Sequence, residues 1–120
     1  MLPQILKANE DDEYYFDEGC FILELSNTAA DADVSIARAR VRPGVTTQLH
    51  RLQGVIERYV LLSGIGQVNV GDVQATVTTG DVVIIPPGCP QQITNIGTVD
   101  LVFLAVCSPR FRHELYEQMA

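Results

Sequence analysis

Tryptophan is absent, lysine occurs only at Lys7, and the two histidines are His50 and His113. Basic residues number 8 against 15 acidic ones, for a formal charge of -7. A surface of that sign repels phosphate backbones and anionic lipid, so neither a nucleic acid nor a membrane is an expected partner. No apolar run approaches the ~20 residues that cross a bilayer. No basic segment leads into an apolar one at the start, so a signal peptide is not expected either. The three cysteines, Cys20, Cys89 and Cys107, are odd in number and lack metal-ligand spacing. Reduced thiols and a cytoplasmic location are the corresponding expectation.

What is present is a β composition. The chain has 120 residues, of which 47% are hydrophobic, enough for one domain over 1–120 with a real core. Valine, isoleucine and leucine predominate, and β-branched side chains suit a pleated sheet. Residues 1–18 read as an irregular segment, with Glu10, Asp11, Asp12, Glu13, Asp17 and Glu18 as a solvated edge. Short apolar stretches then follow one another between glycine and proline turns. Cys20 to Leu25 is one. Val34 to Val41 alternates Ile36, Arg38 and Arg40 with a small-residue face of Ser35, Ala37 and Ala39. Thr46 to Leu52, Glu57 to Leu62, Gln67 to Val70, Val73 to Thr78, Val82 to Ile85, Gln91 to Asn95 and Leu101 to Cys107 complete the set. Many short strands at such intervals predict an all-β sandwich or barrel. The end of the chain differs: Ser108, Pro109 and the stripe Phe111, Leu115, Met119 predict a short closing helix over about 109–119.

Strand parity selects the chemistry. Gln48, His50 and Leu52 share one sheet face, and slipping the register by one would bury Arg51 instead. Glu57 and Tyr59 open the returning strand and can face the same interior, as can Gln91 on a later strand. An imidazole, a carboxylate and a carboxamide converging inside a barrel suit a divalent cation or a polar organic ligand. Without an ion, His50 and Glu57 would pin their strands by a hydrogen bond and Gln91 would line the pocket as a satisfied amide. Arg38 and Arg40 are expected outside as ion-pair partners, and Asn95, Gly44, Gly64, Gly80 and Gly88 at corners and turns.

These residues carry two spaced motifs. Gly44, His50-Arg51-Leu52, Glu57 and Gly64 follow one another at the spacings of the first cupin motif; Gly80, Pro86-Pro87-Gly88, Gln91 and Asn95 follow those of the second. The sequence thus resembles the cupin family from about Val34 to Cys107. The resemblance implies a double-stranded β-helix, or jelly-roll barrel, and a homodimer. In metal-binding cupins two histidines and a glutamate of the first motif and a histidine of the second hold the ion. Position by position these become His50, Leu52, Glu57 and Gln91, so the resemblance implies a depleted set of His50, Glu57 and Gln91 for a divalent metal. Two classes of function stay open. One is a metal-dependent enzyme of dioxygenase, isomerase or lyase type, with Glu57 or Tyr59 moving a proton. The other is a metal-free module that holds a small ligand as a sensor or carrier; Leu52 favours it.

Overall fold

The computed structural model describes residues 1–17 and 19–119; Glu18, counted above in the acidic edge, lies outside them. Two antiparallel sheets form the barrel. One has the strand order β1 (Tyr14–Phe16), β2 (Cys20–Ser26), β3 (Ser35–Val41), β10 (Leu101–Ser108), β5 (Ile56–Ser63) and β8 (Val82–Ile85). The other runs β11 (Tyr116–Gln118), β4 (His50–Leu52), β9 (Gln91–Asn95), β6 (Ile65–Val70) and β7 (Val73–Thr78). This is the all-β barrel that alternation and turn chemistry predict, in the jelly-roll form that the resemblance implies. The first-motif strand is shorter than expected: Thr46 makes one bridge to Thr94, and the ladder begins only at His50.

Period-two alternation decides what faces inward. On β3 the small residues pair with the inner row of β10, Ala37 opposite Ala105 and Ala39 opposite Phe103. The same β10 residues meet Tyr59 and Leu61 on β5, and Cys107 meets Glu57. Leu61, Val41, Ile85, Ile93, Leu101 and Phe103 form the main core, all at most 3% exposed. Outside, Arg38 and Arg40 grip the acidic N-terminal segment, Arg38 reaching Glu10 and Glu13, and Arg40 reaching Glu13 and Asp100. The acidic edge is therefore partly a clasp, and the arginines lie outside as parity requires. The segment before β1 holds one turn of 3-10 helix, Glu10–Asp12, and β1 itself adds an edge strand that the sequence pattern does not announce.

At Gly64 the reason for glycine is direct. Its φ is +88°, and a Cβ there would come within 2.8 Å of the Asp100 carbonyl oxygen.

The closing helix does not form. Residues 113–115 make a single 3-10 turn, and Tyr116–Gln118 is strand β11, paired with Leu52, Arg51 and His50. The helical stripe is real as a list of apolar residues, but the open edge of β4 outbids it for the backbone. Met119 N–H donates to the Leu49 carbonyl and Gln53 N–H to that of Leu115, extending the ladder past both ends of β11. Phe111, Leu115 and Tyr116 instead pack on a second small core of Leu52, Val55 and Cys107.

Candidate functional site

A cavity of about 60 Å³ opens between the two sheets. Small residues on β3 and β10 make the room: Ala37, Ala39 and Ala105 stand where larger side chains would fill it. His50, from β4, and Glu57 and Tyr59, from β5, line it. All three are buried, His50 at 3% and Glu57 at 8% exposure.

His50 is held on two sides. Its Nδ1 lies 2.7 Å from the Gln48 carbonyl oxygen, which can only accept, so Nδ1 is the donor of that bond. Tyr116 stacks on the imidazole at 4.8 Å between centroids. Gln91 is paired with His50 in the β4–β9 register, yet it does not line the cavity. Its carbonyl oxygen accepts the Tyr59 hydroxyl proton, tying β9 to β5 across the barrel. Tyr59 in turn packs against Phe103 at 4.4 Å. The structure therefore brings His50, Glu57 and Tyr59 to one cavity and sets Gln91 behind Tyr59. His113 is exposed, as its place off the apolar stripe suggests, and lies between the rings of Phe16 and Phe111.

Several lining residues escaped the strand-parity reading. Glu24 shares its parity with Cys20 and Ile22, so its carboxyl comes to the cavity mouth; burial raises its pKa above the ordinary carboxylate range. Cys107, 3% exposed, also lines the cavity, and its thiol is pushed far up, first by burial and then by the Glu57 charge. Tyr14 and Phe16 from β1, with Phe111 and Tyr116 from the closing segment, complete the rim. Tyr14, Phe16 and Tyr116 lie on short edge strands that the sequence pattern does not announce, and Phe111 lies in the loop before β11.

Asn95, 1% exposed, is structural. Its Nδ2 donates to the carbonyls of Val41 and Val99, each at 2.8 Å, and its Oδ1 accepts from the Gly97 N–H at 2.9 Å. Its backbone carbonyl receives the N–H of Gly44, so the asparagine of one motif is bonded to the glycine of the other.

Residues 37–107 match the cupin domain family. The chain belongs to the cupins. An uncharacterized protein of Methanocaldococcus jannaschii is 35% identical over 103 residues, covering 84% of this chain and 82% of that protein. An oxalate-binding protein of Thermotoga maritima is 36% identical over 70 residues, 58% of each chain. The solved structure of KdgF from Halomonas sp. superposes with a TM-score of 0.80 at 15% identity, covering 94% of this cupin and 98% of KdgF, a likeness of fold alone. No helix among the described residues of this cupin is long and apolar enough to cross a membrane.

Proposed function

We propose that the barrel is a binding chamber for a small polar organic molecule, held through His50 and Glu57, and that it works without a resident metal ion. One observation carries this: two buried polar side chains from different sheets open onto a cavity that three alanines keep clear. Buried polar groups around an apolar hollow are how small-ligand sites fix orientation.

The donor set suits an ion poorly. Leu52, buried beside His50, offers no lone pair, and the Gln91 oxygen is engaged by Tyr59. Among the described residues no three His, Cys, Asp or Glu side chains gather closely enough to hold a metal. A second reading keeps one observation in its favour. Ligating histidines commonly donate their other ring N–H to a carbonyl, as His50 does to Gln48. On that reading His50 and Glu57 would hold the ion, which would supply Lewis acidity. The reduced Cys20, Cys89 and Cys107 fit a cytoplasmic setting for either.

The test is ligand-observed NMR of the untagged protein against a panel of small acids, alcohols, sugars and amines. Binding that His50→Ala weakens at least tenfold and His113→Ala leaves in place supports the chamber. A panel with no binder at millimolar concentration, or binders indifferent to His50, overturns it.

A further inference from the structure

Six of the eight aromatic side chains, from four Tyr and four Phe in the whole sequence, line this one cavity: Tyr14, Phe16, Tyr59, Phe103, Phe111 and Tyr116. They come from four strands, β1, β5, β10 and β11, and the loop before β11, so no single element's packing explains the concentration. They are also coupled to one another. Phe16 meets Tyr116 edge-on at 5.1 Å, Tyr116 stacks on His50, and Tyr59 packs on Phe103. The remaining two, Tyr15 and Phe21, pair on the outside, where Arg40 and Arg42 cover Phe21.

Of the formally charged residue types, the described lining contains only acidic ones. Glu57 lies inside and Glu24 at the mouth, and none of the described lining residues is Lys or Arg. At Cys107 the charge of Glu57 is, after burial, the next cause of the raised pKa; Glu24 acts in the same sense, and the Ser35 hydrogen bond and the Arg58 charge act against them. Aromatic faces are the negative ends of ring quadrupoles, and carboxylates add full charge, so both features attract the same kind of ligand. A dianion such as oxalate would meet no guanidinium or ammonium here. The ligand implied by the name of the Thermotoga maritima relative therefore does not transfer to this cavity on its chemistry.

We infer that the chamber binds a small organic cation, an amine or quaternary ammonium group seated among Phe16, Phe111 and Tyr116 and facing Glu57. This rests on the barrel being a ligand chamber and names the class of ligand. The volume of about 60 Å³ admits a head group of a few non-hydrogen atoms, with the rest of the molecule toward the mouth.

Choline tests it against two controls: its uncharged carbon analogue dimethylbutanol, which has the same shape, and oxalate. Isothermal titration of the full chain should show choline binding about tenfold tighter than dimethylbutanol. Glu57→Gln and Tyr116→Leu should each remove most of that preference, and Tyr116→Phe should restore it, with thermal unfolding showing that each variant is folded. Equal binding of choline and dimethylbutanol, or oxalate binding where choline does not, overturns the cation assignment and leaves the chamber standing. Failure of all three, together with an empty result in the wider panel, removes both.

Discussion

Replacing Asn95 by alanine should cost the protein a large part of its stability without touching the cavity. The side chain makes three hydrogen bonds: two donated to the carbonyls of Val41 and Val99, and one accepted from Gly97 N–H. A typical bond contributes about 1 kcal/mol net, and a buried group left without its partner costs about 1–3 kcal/mol. The Val41 carbonyl bond is buried, while the other two are partly reached by water. Taking one full penalty and two ordinary bonds gives about 4 kcal/mol, against a total of about 5–15 kcal/mol for an ordinary domain. Asn95→Asp keeps the acceptor for Gly97 but turns a carboxylate toward two carbonyl oxygens, so near pH 7 it should be at least as damaging. Urea unfolding followed by circular dichroism should show the midpoint of the alanine variant falling by about 2 M at unchanged slope. A loss below about 1 kcal/mol in both variants would show that the loop relaxes around the gap, and the reasoning would be wrong.

Acid should expose the N-terminal clasp. The Glu13 carboxyl is held below its usual value, chiefly by its hydrogen bond to the Arg40 guanidinium and then by that to Arg38. A depressed folded-state pKa gives stability that is present above the ordinary glutamate value of 4.5 and is lost as pH falls through the folded value. Wild type should therefore melt higher than Glu13→Gln near neutrality, and the gap should close in acid; a gap that does not change with pH would contradict this. Metal analysis of untagged protein should find far less than one ion per chain, and a stoichiometric ion lost in His50→Ala would revive the metal-dependent reading. We also expect a homodimer. Leu104, Val60 and Val82 form a row across the outer face of the larger sheet, Ile84 is 66% exposed beside them, and Met1, Leu2, Ile5 and Leu6 are exposed on the arm. Light scattering at micromolar concentration should give twice the chain mass, and Ile84→Glu should halve it; a wild-type monomer would sink the idea.

Strand parity carried the reading of the barrel a long way. Alternation around Ala37 and Ala39 marked a small-residue face before that face could be known to bound a cavity. The cost of burying Arg51 set His50 inward, and Arg51 indeed lies outside on Glu117. The closing segment was illegible for a physical reason. Phe111, Leu115 and Met119 fit a helix locally, and only the unpaired edge of β4, distant in sequence, makes a strand the better use of their backbone. Gln91 shows the same limit. Parity placed it inside, but its engagement by Tyr59 depends on two strands whose separation no local pattern encodes.

The segments that flank the barrel deliver four of the six rings around the cavity, Tyr14 and Phe16 on one side and Phe111 and Tyr116 on the other. The barrel frame and most of the aromatic rim of its cavity are thus written in different stretches of sequence. Substitutions before Cys20 or after Ser108 can reshape what enters while the ladders of β3, β5, β6, β9 and β10 stay as they are. Fraying of β1 or β11, each a three-residue strand at a sheet edge, would open the wall of the chamber. A bound ligand should therefore slow amide exchange most at Tyr14–Phe16 and Tyr116–Gln118, far from the strands that exchange slowest in the empty protein.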